Sequence, residues 1–276
     1  MAETRKFYAF RRRGLNIALE TERTARLDVT LDTNEGERTS SVSLPLMGPG
    51  DVQGLVKGAV TRRWPEPNST KTPAGSVAYV EFADDDLPWL LSPKSSVRPM
   101  PWLTLLVLPD APDSGLTWRA DGMPLPEILI DASLSGTLPD PEEAWILAHT
   151  EAREGGDLSR ILSARWLAPG TRWLAVLVPL YEAGRRAGLD EDIDGATGFS
   201  VTPGESLRLP VYDSWTFSTS TTPAFEDLVK ELAPAESPSI PPYVAWSVAT
   251  KASLDATEPL ARSWLRAALR HESMNP

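Results

Sequence analysis

The sequence predicts an α+β fold, with mixed or antiparallel sheets, short peripheral helices and proline-rich connections. Three observations predict it. Short runs alternate apolar and polar residues with period two, the pattern of a half-buried strand. Helical patterns are few and brief. The 26 prolines, about twice ordinary usage, lie between apolar runs throughout the chain. Proline stiffens connections and interrupts ladders, so many short elements joined by rigid loops are expected.

Taken in order, residues 15–46 read as strands. Leu27, Val29 and Leu31 share one face of residues 26–31, and Val42, Leu44 and Leu46 share one face of residues 39–46. The Asn34-Glu-Gly36 turn between them makes a hairpin. Gly48-Pro-Gly-Asp51 ends it with a tight reversal; its glycines are one residue too widely spaced for a dinucleotide fingerprint. Residues 65–73 are a polar loop and residues 77–82 a strand. Residues 102–108 form a continuous apolar run between Pro101 and Pro109, the mark of a central strand buried on both faces. Residues 127–130 are a further short strand.

Residues 139–148 start as a helix, with Asp140 as cap, Pro141 at the first position and Glu142 and Glu143 complementing the dipole. Residues 157–163 read as a second short helix, 171–178 as a strand and 180–189 as a helix. Residues 207–217 read as one long strand, its Pro210 placing it at an edge or a bulge. A capped amphipathic helix is expected at 222–232, a Pro/Ser linker at 233–242, a strand at 243–248 and a final helix at 257–270. The domain reading is a main α+β domain over 1–232, β-rich over 1–64, and a strand–helix segment over 243–276. A softer boundary falls at 65–76.

The 276 residues suffice for a real core. No cysteine is present, which excludes disulfides, thiolate metal sites and cysteine nucleophiles. A formal charge of −11 repels phosphate backbones, so nucleic acid is not an expected partner. No apolar run reaches about 18 residues, so no membrane span is expected. Arg11-Arg-Arg13 is followed too soon by polar residues to be an export signal, and a cytoplasmic product is expected.

Chemistry-bearing patterns are sparse. Asp190, Asp192, Asp194 and Gly195 open a DxDxDG calcium-loop pattern, in which alternate carboxylates can converge on a hard cation. Its twelfth position is Val201 instead of a bidentate Glu, which favours a solvated acidic turn; calcium is the one cofactor to test. His149, with Glu151 nearby, is the residue on which a hydrolase would rest, against a structural histidine beside a helix end. Asp84-Asp-Asp86 reads as a solvated loop. The ten tryptophans, among them Trp89, Trp102, Trp145, Trp166, Trp173 and Trp215, could suggest sugar binding, but most occupy apolar core positions; exposed ones would instead suit a protein–protein interface. On the last helix, Leu260, Trp264 and Ala268 line one face, and Arg262, Arg266 and Arg270 form a basic stripe opposite. Arg262, Trp264, Arg266 and Arg270 are therefore the candidate interface residues.

A set of segments in fixed order remains. It comprises Leu44-Pro-Leu-Met-Gly-Pro-Gly-Asp-Val-Gln-Gly54, Asp86-Leu-Pro-Trp89 and Arg98-Pro-Met-Pro-Trp102-Leu-Thr-Leu-Leu-Val-Leu108, then residues 138–149 and 157–179, Tyr181-Glu-Ala-Gly-Arg-Arg-Ala-Gly-Leu189, and Leu209-Pro-Val-Tyr-Asp-Ser-Trp-Thr-Phe217. Together they resemble a family of structural or accessory proteins associated with phage-tail-like contractile injection systems. The resemblance runs over about residues 44–232 and departs at Ile146-Leu147, where a second Trp is expected after Trp145. It carries no catalytic residues. It implies a non-enzymatic structural or adaptor subunit at the baseplate or cap end. Such a subunit would associate with itself or with tube, sheath, baseplate or cap proteins.

Overall fold

The computed structural model describes residues 6–9, 18–19, 24–34, 36–92, 98–120 and 125–221. The chain divides into a unit Met1–Ala224 and a second, Phe225–Pro276. The elements expected at 222–232, 243–248 and 257–270 and the linker at 233–242 lie outside the described residues, as do Arg262, Trp264, Arg266 and Arg270.

The described strands are β1 (Lys6–Tyr8), β2 (Ala18–Leu19), β3 (Thr24–Thr33), β4 (Gly36–Pro45), β5 (Val60–Trp64), β6 (Val77–Phe82), β7 (Leu103–Pro109), β8 (Leu116–Arg119), β9 (Glu127–Ile130), β10 (Ala148–Ala152), β11 (Leu158–Trp166), β12 (Arg172–Pro179), β13 (Leu207–Pro210) and β14 (Asp213–Ser218). Three short helices accompany them: α1 (Leu87–Leu90), α2 (Ala132–Ser135) and α3 (Glu182–Gly188). The fold is α+β, as the alternation and the prolines predict, and of the mixed or antiparallel sheets expected the structure has antiparallel ones. An outer sheet runs β1-β10-β11-β6-β5, a middle sheet β14-β12-β7, a cover sheet β13-β9-β8, and a separate sheet β2-β3-β4.

The middle sheet organises the unit. Strands β7 and β12 are almost wholly apolar and pair antiparallel from Trp173↔Pro109 to Pro179↔Leu103. Their alternate side chains serve two cores. Leu103, Leu105, Val107, Trp173, Ala175 and Leu177 meet Ala78, Val80, Phe82 and Ile161 of the outer sheet. Leu106, Leu108, Leu174, Val176 and Val178 meet Ile128, Ile130, Leu207 and Leu209 of the cover sheet. A strand sandwiched between two sheets needs apolar residues at both parities, which is why these two runs lack alternation. The double burial expected of residues 102–108 is therefore present, in an antiparallel sheet. Each such leucine removed from water contributes about 1.5–3 kcal/mol.

Several expectations are corrected. The helix expected at 157–163 is instead strand β11, from Leu158 onward. Ser159, Ile161 and Ser163 are buried at alternate positions and the strand lies between β10 and β6, so ladder pairing overrides the local helical impression. The helix expected at 139–148 is a 3-10 segment, Pro141–Ile146. Asp140 caps it as predicted, accepting from the Glu142 N–H at 2.9 Å. Strand β10 then begins, so His149 stands on a strand and not beside a helix end. The long strand at 207–217 breaks after Pro210 into β13 and β14, edge strands of different sheets. Asp85 and Asp86 are buried, not solvated; the Asp84 and Asp85 carbonyls accept from the Ser159 and Thr150 hydroxyls. Residues 65–76 connect β5 to β6, neighbours in one sheet, and are no boundary. Trp166 is 71% exposed, whereas Trp89, Trp102, Trp173 and Trp215 are core residues as expected.

Candidate functional site

The acidic loop follows α3. This helix is short, but its charges suit its dipole: Glu182 opens it and Arg185 and Arg186 close it. Arg185 holds Glu182 with two bonds of 2.7 Å, and Arg186 Nε reaches the same carboxylate at 2.8 Å. The arginine bonds, Arg185 foremost, hold the Glu182 carboxyl below its usual range. Beyond the helix, Asp190 takes a left-handed φ of +57° and Asp192 Oδ1 accepts from the Asp194 N–H at 3.0 Å. The Arg186 guanidinium donates to the Asp192 and Asp194 carbonyls at 3.2 and 3.4 Å. A calcium loop needs carboxylates and a carbonyl converging on one point. Here a cation of the chain itself sits against the loop, and among the described residues no group of three carboxylates or histidines is placed so as to hold a metal ion. Asp190, Asp192 and Asp194 thus share a turn but do not converge on one point.

His149 belongs to a charged cluster on the outer face of the outer sheet. Period-two alternation puts His149 and Glu151 of β10, Arg160 of β11 and Tyr79 and Glu81 of β6 on that face. The register sets His149 beside Arg160 and Arg160 beside Glu81. Glu81 and Glu151 are 4% and 1% exposed. Arg160 Nη2 donates to Glu81 and, at 3.2 Å, to Glu151; Arg153 donates to Glu151 at 2.7 Å. The Arg160 guanidinium also stacks over the Tyr79 ring at 4.7 Å. Burial first, and then the Arg160 charge, push the His149 pKa down, so the ring is neutral near pH 7. Its Nε2 lies 3.5 Å from Arg160 Nη1. A triad histidine is oriented by a carboxylate and faces a nucleophile. Here both nearby carboxylates are engaged by arginines, and the ring's polar neighbour is a cation. The cluster is an ion network of two arginines and two carboxylates beside the histidine. Sequence reading found His149 but missed Glu81, Arg153 and Arg160; the alternation of charge with apolar residues in β6 and β11 was the available signal.

The third locus is the hairpin of β3 and β4. Ten register pairs run without a bulge from Thr24↔Pro45 to Thr33↔Gly36. One face is polar and internally bonded. Arg26 donates to Asp28 and to the Ser41 hydroxyl at 2.9 Å each, and the Thr30 and Thr39 hydroxyls lie 3.1 Å apart. The other face carries Ala25, Leu27, Val29 and Leu31 opposite Leu44, Val42, Ser40 and Arg38. The sequence predicts this stripe as half-buried. The structure buries it only at its root, where Ala25 is inaccessible; Val29, Val42 and Leu31 are 38%, 46% and 59% exposed. The hairpin is about 30 Å long, and among the described residues no second sheet lies over the apolar face of its outer part.

No helix among the described residues is long and apolar enough to cross a membrane. No protein-family model matches the chain, and neither do curated proteins or solved structures.

Proposed function

We propose that this chain is a non-enzymatic structural or adaptor subunit of a phage-tail-like contractile injection particle, at its baseplate or cap end, acting by protein–protein assembly. The observation that carries the reading is the projecting β3–β4 hairpin with its exposed apolar stripe. A two-stranded hairpin is marginal in water unless something packs on it. An exposed row of Val29, Leu31 and Val42, continued by the half-buried Leu27, is the kind of surface that subunits bury against each other. Two further observations support it: the carboxylates around His149 and the acidic loop are both tied up by arginines. The ordered segments at 44–108 and 138–217 supply the particle context.

The hairpin is an anchor and not the whole interface. Its apolar face offers about 300 Å², less than half of the roughly 800 Å² that each partner contributes to a stable contact. Other surfaces of the subunit complete the joint.

The test is mass analysis of complexes captured from the native lysate, with wild type beside a Leu31→Asp/Val42→Asp double variant. Tube, sheath, baseplate or cap proteins should accompany the wild type and be depleted from the variant. The variant should keep the wild-type melting temperature, since both side chains are exposed. Wild type recovered as a partnerless monomer would overturn the proposal.

A further inference from the structure

A cleft on the far side of the middle sheet has chemistry of its own, independent of the hairpin. It follows from the alternation of β14. Trp215 and Phe217 enter the core shared with the outer sheet, so Ser214 and Thr216 face the opposite way. On that side the cover sheet packs over β7 and β12, and no residue of β14 contributes to that second core. The flank left open is a cleft of about 540 Å³, with Leu174, Ser214 and Thr216 at its base. Trp118 of β8 pairs with Ile128, a residue of the second core, which puts it on the inner face of the cover sheet. It lines the cleft with 40% of its surface exposed.

The charges at the rim cancel. Arg63 is gripped by both oxygens of Asp213 at 2.8 and 2.7 Å, and Arg172 Nε donates to Asp110 at 2.7 Å. A phosphate or carboxylate would have to displace a carboxylate already in place. An apolar ligand would strand the hydroxyls below it. A peptide cannot add as a strand to β14, whose outer edge is taken: Asn68 and Thr72 donate to the Thr216 and Ser218 carbonyls, and the Ser218 N–H to the Ser69 carbonyl. The polar groups left over are the Asn68 carboxamide and the Ser214 and Thr216 hydroxyls, none with a side-chain hydrogen bond to another described residue. Asn68 is held in place by its 2.7 Å backbone bond and a left-handed φ of +62°.

We infer that this cleft binds a neutral saccharide. Its C–H face lies on the Trp118 ring, and its hydroxyls exchange hydrogen bonds with Asn68, Ser214 and Thr216, groups that both donate and accept or, with their neighbours, supply both. An exposed aromatic face beside a few convergent neutral polar groups, in a cleft of this size, is what an uncharged polyhydroxylated ring requires.

The full chain is to be titrated separately with cellohexaose, maltohexaose and the hexamer of N-acetylglucosamine, followed by tryptophan emission and ligand-observed NMR. At least one should bind at millimolar concentration or below. Trp118→Ala should weaken that binding about tenfold, the worth of one aromatic face. Thr216→Val, nearly isosteric, should also weaken it while circular dichroism shows an unchanged melting temperature. Binding of none of the three sugars would overturn the inference. So would binding undiminished in both variants, or ATP bound as well as the sugar.

Discussion

Burial and the Arg160 guanidinium keep the His149 imidazole neutral, and this has a consequence for stability. The folded-state pKa lies below the ordinary 6.5, so on acidification the unfolded chain takes up the proton first. Stability is therefore fully present above about pH 6.5 and falls as pH drops from there toward the depressed value. His149→Gln, which keeps a polar amide on the strand, should flatten the decline of melting temperature between about pH 7 and 5; parallel profiles for the two proteins would contradict the assignment. The sequence offered His149 and Glu151 as neighbours in number. It could not show that Arg160 of the neighbouring strand and Glu81 of a distant one join them, because register alone brings them there.

At the scale of elements, α3 shows how a weak helix is placed. Its glycines are contact points. A Cβ on Gly188 would lie 2.6 Å from Pro210 Cγ, and one on Gly184 would lie 2.8 Å from Pro179 Cβ. Proline rings yield little, so these close approaches dock the helix on the ends of β12 and β13. Alanine favours helices over glycine by about 1 kcal/mol, yet Gly188→Ala should destabilise by about 1–3 kcal/mol through overpacking. Denaturant unfolding measures it, and a stabilised variant would refute the contact argument. The helix itself was legible from residues 180–189. Strand β11 was not, since Arg160, Leu162 and Ala164 suit a helix well enough and only β10 and β6 on either side make the segment a strand.

Across the whole molecule, burial decides what a side chain is worth. Leu177 and Leu31 are chemically identical strand residues, one inaccessible in the middle sheet and the other 59% exposed on the hairpin. Leu177→Ala should cost about 2–5 kcal/mol by leaving a cavity, while Leu31→Ala should stay within about 0.5 kcal/mol. Equal effects in chemical denaturation would mean that the hairpin packs on the unit after all. The same contrast separates the two proposed surfaces: the hairpin stripe is apolar and uncovered, whereas the Trp118 cleft is polar-floored.

By itself the sequence determined the class: α+β with short strands and short helices, its sheets mixed or antiparallel, the hairpin about Asn34–Gly36 and the doubly buried run at residues 102–108. Those signals are local, written in period-two alternation, in its absence over the middle strands, and in the positions of glycine and proline. Tertiary structure alone decided which apolar faces would be covered, why 207–217 divides between two sheets, and that Arg160 would engage Glu81 beside His149. Each of these depends on pairing and packing between residues far apart in the chain, which no local pattern records.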